Sequence, residues 1–248
     1  MHKSQREEKM NGSLHPAVIR LPGTTGFLHI GAQLGLRSCG SNGLLSLDMS
    51  EETSLMATER PGFSVVSSKV ASHPYGVYSR SILRVERARA SDLSPDETDV
   101  CYGDRLVFWF NLEGQSPFYL HSELLTPTST SKVSRRQLVA AVQGIPAREE
   151  TWEILPADNR DRLQLTLSRQ PVKLTDQVCL RHVATGCLLA SDSRVTQQTV
   201  FGREHEVCCH SEKSRNKSHN LKLERSGHID GDSPTRLNVS ESIWTFFV

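Results

Sequence analysis

Short apolar runs alternate with clusters of Gly, Ser, Asp and Pro along the whole chain. Within these runs the apolar positions recur at every second residue rather than at the helical period of about 3.6. This alternation is typical of a strand that turns one face towards a core. The pattern therefore predicts an all-β protein made of many short strands.

One run recurs three times at a constant spacing. In each copy the third position is polar, and the fourth and sixth positions are apolar. The copies lie at residues 31–36, 103–108 and 175–180. The intervals between their first residues are equal, 103 − 31 = 72 and 175 − 103 = 72. Such an internal repeat indicates that one structural unit is used three times.

A second strand follows each copy after a turn, and a third strand closes each unit. The second strands start at similar offsets from their copies, 44 − 31 = 13, 119 − 103 = 16 and 188 − 175 = 13. The closing strands are predicted at 82–85, 152–155 and 221–223, and their intervals are 152 − 82 = 70 and 221 − 152 = 69. Since Trp152 begins the middle closing strand, we expect its side chain to be buried.

Three such units favour a closed, three-repeat β-trefoil over an open solenoid, because closure leaves no sheet edge exposed to other chains. A β-sandwich is the structural alternative, but its strands would not show this threefold recurrence of the hairpin offset. One short helix is predicted in the middle repeat, at residues 134–143. Ser134 can cap its start, and Gly144 followed by Pro146 can end it.

Charge and composition narrow the range of partners. The chain has 29 Lys and Arg residues against 28 Asp and Glu, which gives a formal net charge of +1. No long-range field therefore attracts it to nucleic acid or to anionic lipid. No apolar run approaches the roughly 20 residues that span a bilayer, and residues 1–17 lack the apolar core of a signal peptide. We expect a soluble protein with no nucleic-acid or membrane partner, whose six cysteines are free thiols.

Little in the sequence points to catalysis. It has no Gly-rich phosphate loop, nucleophile elbow or paired-carboxylate motif, and its ten histidines are scattered. The nearest approach to a metal-binding set is His205, Cys208, Cys209 and His210, but adjacent cysteines on a strand face opposite sides. We expect no enzyme activity, no cofactor and no metal. For His121, a ligand contact and a side chain satisfied by backbone groups are both open.

Two stretches resemble known families. The string FYLHSEL at 118–124 resembles the MIR-type β-trefoil of protein mannosyltransferases and intracellular calcium-channel receptors. The stretch 152–220 resembles the carboxy-terminal third of the cilia- and flagella-associated protein 161 family, and earlier segments from residue 26 onward match more loosely. Val200 and Leu221 depart from that family's pattern, which has aromatic residues at both positions. The most specific shared motif is Phe201, Gly202, Arg203 and Glu204.

The resemblance implies a structural role. Members of that family are MIR-like trefoils that act as inner proteins of the axonemal doublet, against the luminal surface of tubulin. The implied partners are tubulin and other microtubule inner proteins. The implied location is the cytoplasm and its cytoskeleton, in the doublet lumen of a cilium or flagellum. Two alternatives stay open, a cytosolic carbohydrate- or ligand-binding β-trefoil and a regulatory module of a larger enzyme assembly.

On this interpretation the chain has three parts. Residues 1–25 are an N-terminal extension and residues 226–248 a C-terminal tail, both expected to be flexible, around a MIR-like β-trefoil domain at 26–225. The tail ends in an aromatic cluster, which usually marks a binding surface when it is exposed. The alternative is that Trp244 and Phe246 fold back and cover the bottom of the barrel. The expected partner-binding residues are the motif Phe201, Gly202, Arg203 and Glu204, together with Trp244, Phe246 and Phe247.

Overall fold

The computed structural model describes most of the chain. The described residues are 14–23, 25–54, 61–69, 77–88, 98–112, 115–127, 129–158, 162–210, 213–214, 226, 236–237 and 239–248. Most of the expected N-terminal extension and the predicted closing strand at 221–223 lie outside them.

The described elements are almost all strands, so the all-β prediction is confirmed. The strands are β1 (Gln33–Ser38), β2 (Gly43–Ser54), β3 (Pro61–Lys69), β4 (Leu83–Arg87), β5 (Arg105–Phe110), β6 (Phe118–Ser122), β7 (Gln137–Val142), β8 (Thr151–Pro156), β9 (Gln177–His182), β10 (Leu188–Thr199), β11 (Gly202–His210), β12 (Lys213–Ser214), β13 (Arg236–Leu237) and β14 (Trp244–Phe247). The described α-helix is α1 (Arg162–Leu167), and three 3-10 turns lie at Ser79–Ser81, Arg148–Glu150 and Ser240–Ser242.

Six strands pair edge to edge until the ring closes. Going round the ring, the antiparallel neighbours are β1, β14, β9, β8, β5, β4 and again β1. Alternate residues of these strands point inward, and Leu34, Phe108 and Leu180 are fully buried in one continuous core. The ring is thus a closed barrel filled by its own side chains.

Three hairpins cover one end of the barrel. They are β2–β3, β6–β7 and β10–β11. The second strands of the three hairpins also pair with one another, β3 with β7, β7 with β11, and β11 with β3. This triangle binds the three hairpins into a single cap and gives the molecule a β-trefoil-like architecture.

The constant spacing found in the sequence reappears in the barrel. The strands β1, β5 and β9 begin at equal intervals, 105 − 33 = 72 and 177 − 105 = 72. Each lies on one of the three matching runs, with its start shifted two positions along the chain. Trp152 is fully buried in β8, as the sequence predicts.

The predicted helix at 134–143 is wrong. Residues Gln137–Val142 form strand β7, and all six of them are buried. This strand pairs with β6 on one side and with β3 and β11 on the other, so both of its faces and both of its edges are covered. A short run with apolar residues on every side fits a buried strand as well as a helix, and the pairing decides. The one described helix instead lies between β8 and β9.

Strand β14, close to the C-terminal end, was not among the predicted closing strands. Each of β4, β8 and β14 follows one of the 3-10 turns, and the predicted closing strand at 221–223 lies outside the described residues. Trp152 Nε1 donates to the carbonyl of Leu120, and Trp244 Nε1 donates to that of Leu189, both at 2.9 Å. Both indoles are fully buried.

The division that placed residues 226–248 outside the trefoil therefore needs correction. Strand β14 lies between β1 and β9, and it satisfies backbone groups of both. Without it these two strands would each leave an unpaired edge. Trp244 and Phe246 are buried in the core as residues of this barrel strand, and they do not form a cover at the bottom of the barrel.

Deletion of residues 240–248 tests this assignment. We expect the truncated protein to lose its cooperative thermal transition, because the deletion opens the ring and exposes the core. Trp244→Ala should cost about 3–5 kcal/mol in the free energy of unfolding, as truncation of a buried Trp usually does. Chemical denaturation measures both effects, and deletion of the exposed Val248 alone serves as the control. A 240–248 deletion that melts like the full chain would contradict the assignment.

Candidate functional site

The motif at 201–204 begins in the tight turn between β10 and β11 and continues into β11. Thr199 pairs with Gly202, which leaves Val200 and Phe201 as the two residues of the turn. Gly202 has φ +110°, a conformation that favours glycine over residues with a Cβ. The Thr199 hydroxyl accepts from the Phe201 backbone N–H at 3.1 Å and donates to Glu204 Oε2 at 2.7 Å. The turn is thus held from within by Thr199.

A buried ion pair joins this turn to the rest of the cap. Arg80 Nη2 lies 2.6 Å from Glu204 Oε1, and both side chains are nearly inaccessible to solvent. The same arginine donates through Nη1 to the Leu47 carbonyl at 3.1 Å and through Nη2 to Ser68 Oγ at 2.9 Å. Its guanidinium carbon stands 4.0 Å from the centre of the Phe201 ring. One arginine therefore ties the β2–β3 hairpin to the β10–β11 turn.

This geometry shows how the motif's residue types are used. Glu204 supplies the buried carboxylate, Phe201 covers the guanidinium with its ring, and Gly202 allows the turn. Arg203 is the member of the motif that is exposed to solvent. Arg80 was not singled out from the sequence, because a lone arginine before an apolar strand carries no sign that it is buried.

The predicted partner-binding residues do not meet in one place. Trp244 and Phe246 are buried in the barrel, and Phe247 is half-buried in the pairing with β1. The motif instead lies in the cap at the β10–β11 turn. Trp244 and Phe246, two residues of the aromatic cluster expected to be exposed at the C-terminal tail, are therefore part of the core.

A second buried polar group surrounds His121 in β6. Its Nδ1 lies 2.9 Å from Glu150 Oε1, and its Nε2 lies 3.9 Å from Glu123 Oε2. Glu150 also accepts the Ala147 backbone N–H at 2.6 Å, and Glu123 accepts a hydrogen bond from Ser129 Oγ. The partner of His121 is therefore a side-chain carboxylate, and not a backbone group.

His182 lies next to this group, fully buried against Trp152. Its Nε2 is 2.9 Å from the Glu149 carbonyl, and its Nδ1 is 2.9 Å from Thr185 Oγ1. A neutral ring satisfies both contacts, with Nε2–H donating to the carbonyl and Nδ1 accepting from the hydroxyl. Burial holds the pKa of His182 below its ordinary value.

The cysteine and histidine residues of β11 do not form a metal centre. Cys208 and Cys209 are both buried, and burial raises the pKa of the Cys208 thiol to about 11. Across the described part of the chain, no group of three His, Cys, Asp or Glu side chains is arranged to hold a metal ion. All six cysteines are free thiols in the structure.

Clefts lined by described residues open on the surface of the barrel. One, of about 410 Å³, lies beside α1 and is lined by Tyr102, Leu165, Gln170 and Asp176 among others. The Tyr102 hydroxyl donates to Asp176 Oδ2 at 2.9 Å, which fixes both side chains at the cleft wall. Another, of about 320 Å³, lies where the segment 16–20 crosses the barrel. Among the described helices, none is long and apolar enough to cross a membrane.

Comparison with known proteins identifies the fold. No protein-family model matches the sequence, and no curated protein matches it. The match with the SDF2-like protein from Arabidopsis thaliana covers 89% of this chain and 94% of that chain, with 16% identity and a TM-score of 0.59. The match with a Caenorhabditis elegans protein described as having unknown function covers 90% of this chain and 97% of that chain, with 16% identity and a TM-score of 0.58.

A third solved structure is the S. cerevisiae protein O-mannosyltransferase Pmt1-Pmt2 complex bound to the sugar donor. The match covers 96% of this chain and 28% of that chain, with 15% identity and a TM-score of 0.56. At identities this low the likeness shows the fold alone. The chain therefore has a MIR-like, β-trefoil-like fold.

The buried ion pair gives a direct prediction. Glu204→Gln should lower the free energy of unfolding by about 3–5 kcal/mol, because it leaves the Arg80 guanidinium buried without its counter-charge. The double variant Arg80→Met/Glu204→Gln should lose less than the sum of the losses of Arg80→Met and Glu204→Gln measured separately. Urea denaturation of the single and double variants measures this coupling. Arg181→Met, which breaks a half-exposed pair with Glu153, is the control and should cost less than about 1 kcal/mol. Additive losses for Arg80 and Glu204 would contradict the assignment.

Burial of His182 predicts a pH dependence of stability. Its folded pKa is lowered, so the unfolded state binds more protons as the pH falls below the ordinary histidine value of about 6.5. Stability should therefore decrease between about pH 7 and pH 5, and the decrease should be smaller in His182→Gln. Denaturation midpoints across this range measure the effect. Burial also lowers the pKa of His205. His205→Gln is therefore a parallel variant that measures how much of the pH dependence of stability comes from that residue. An unchanged pH slope in His182→Gln would rule out this origin.

Proposed function

We propose that the protein is a structural, non-enzymatic inner protein of axonemal doublet microtubules. It binds the luminal surface of tubulin and neighbouring inner proteins, and it stabilises motile cilia or flagella. The observation that carries the proposal is the resemblance of residues 152–220 to the cilia- and flagella-associated protein 161 family. The most specific motif of that resemblance is the turn that the Arg80–Glu204 ion pair holds in the cap.

We also propose that the fold is a trefoil of three repeats, β1–β4, β5–β8 and β9–β14. Each repeat then supplies a barrel strand, a cap hairpin, a 3-10 turn and a closing strand. The equivalent hydrogen bonds of Trp152 and Trp244 support this division, since each joins the closing strand to the first hairpin strand of its own repeat. Leu83, which is fully buried at the start of β4, takes the same place in the first repeat.

The surface of the cap supports a role in protein contacts. The loop between β6 and β7 exposes three apolar side chains, Leu124 at 70%, Leu125 at 50% and Val133 at 49% of their full accessibility. These side chains stand on a hairpin whose strands are paired on both sides. Apolar residues presented by a rigid scaffold suit a protein interface. A net charge of +1 suits a partner surface that is not strongly acidic.

A carbohydrate- or ligand-binding module is the second candidate. The cleft beside α1 favours it, because Tyr102, Gln170 and Asp176 place hydrogen-bonding groups around a recess large enough for a small ligand. Trp152 gives no support to a sugar site, since its indole is fully buried and cannot stack on a ring. The cleft alone therefore supports a ligand-binding function less strongly than the resemblance supports the structural role.

Localisation of a tagged copy in ciliated cells tests the proposal. We expect the protein along the axoneme and in the detergent-resistant fraction. Leu124→Ser/Leu125→Ser should reduce its retention there, because the change removes apolar contact area without touching the core. Leu163→Ser/Leu167→Ser, on the equally exposed face of α1, is the matched control. A diffuse cytosolic signal together with specific binding on a glycan array would favour the second candidate.

A further inference from the structure

The segment 16–20 forms one wall of a cleft on the barrel. Arg20 and Gln33 exchange backbone hydrogen bonds of 3.1 and 2.8 Å. Pro16 forms a bridge with Tyr78, and the Ala17 N–H donates to the Val77 carbonyl at 2.8 Å. The segment therefore lies along the outer edge of β1 and beside the turn that precedes β4. Between them they enclose a recess of about 320 Å³.

Three polar side chains form a row across the floor of this recess. Gln33 is the register partner of Arg20 on one side and of Arg84 on the other. Directly opposed residues of neighbouring strands project from the same face, so the two guanidinium groups flank the amide of Gln33. All three residues line the recess. Asn111 and Ser79 add further hydrogen-bonding groups to its wall.

The charge of this recess is not balanced by its own walls. The described residues that line it are Pro16, Ala17, Val18, Arg20, Gln33, Ser79, Ile82, Arg84 and Asn111. They include two arginines and no carboxylate. Outside the lining, Glu86 Oε1 lies 3.7 Å from Arg84 Nε, which is beyond hydrogen-bonding distance, and both side chains are about 40% exposed. Such an exposed and loosely spaced pair neutralises little charge.

Among the described residues, neither arginine side chain has a hydrogen-bond partner. Arg84 Nε is shielded from solvent but has no hydrogen-bond partner. The Arg84 guanidinium carbon stands 5.5 Å from the centre of the Trp109 ring, which holds the group in place without using its N–H donors. Arg20 is exposed, and no described residue pairs with its side chain. The guanidinium of Arg20 and the two Nη groups of Arg84 are thus available to a ligand.

We propose that this recess binds an oxyanion carried on a small organic group, a carboxylate or a phosphate monoester. Guanidinium groups bind the oxygens of such anions two at a time, and the neutral amides of Gln33 and Asn111 can complete the contacts. The apolar rim of Pro16, Val18 and Ile82 suits the organic part. The oxyanion is carried either by a free metabolite or by an acidic side chain of a partner protein. The site does not depend on the axonemal role.

Calorimetric titration of the full chain tests the site with inorganic phosphate, O-phosphoserine, N-acetylglutamate and a glutamate-containing peptide as probes. We expect saturable binding of at least one probe in the millimolar range or tighter, weakened by added salt. Arg20→Gln and Arg84→Gln should each weaken it about tenfold or more. Arg84→Lys should recover part of the loss, because it restores the charge but not the two-point contact.

The control is Arg105→Gln, an exposed arginine on a neighbouring barrel strand that lines neither cleft. Because Arg20 is exposed and lies outside the core, its variant keeps the test valid even where Arg84→Gln fails to fold. Preference for the single amino acids or phosphate indicates a metabolite, and preference for the peptide indicates a partner side chain. The proposal is overturned when no probe saturates, when Arg20→Gln binds like the original protein, or when Arg105→Gln loses binding equally.

Discussion

The whole architecture depends on the insertion of β14 between β1 and β9. The barrel is a ring of six strands, and a ring with one missing member is an open sheet with two free edges. Closing it buries Trp244 and completes the cluster that contains Leu36 and Leu180. The two indole hydrogen bonds then fasten the closing strands β8 and β14 to neighbouring hairpin strands, so the barrel and the cap support each other.

The polar groups inside the cap have a different task from those on the surface. Arg80, Glu204, His121 and Glu150 are buried in pairs, and each pair joins segments far apart in the chain. A buried charge is tolerated only where its partner is correctly placed, so such pairs restrict how the hairpins can pack. In contrast, the arginines beside Gln33 lie on the outer surface of the barrel, and neither is held in a buried ion pair. The buried pairs that fix the packing of the hairpins therefore lie apart from the arginines of the proposed ligand site.

The sequence predicted the parts of the fold that depend on local pattern. The positions of β1, β5 and β9 could be predicted because the alternation of apolar and polar residues is visible within each of these segments. The helix at 134–143 was wrong because the residues Leu138 to Val142 suit either structure, and only their neighbours β3, β6 and β11 decide. Strand β14 was not recognised as a barrel strand because its interval from β9 is longer, 244 − 177 = 67, than the intervals of β4 from β1 and of β8 from β5, 83 − 33 = 50 and 151 − 105 = 46. Partners such as Arg80 and Glu204, which are far apart along the chain, leave no trace in one sequence.

The pairing of β1 with β14 also constrains how the protein is made. Gly35 and Phe247 are register partners although all the other strands lie between them in the sequence. On the ribosome β1 emerges early, but its permanent neighbour is translated after all the other described strands of the barrel. Strand β1 therefore keeps one edge unpaired until β14 is available, and contacts of such long range make folding slow. The ring of six strands can close only after β14 has been synthesised.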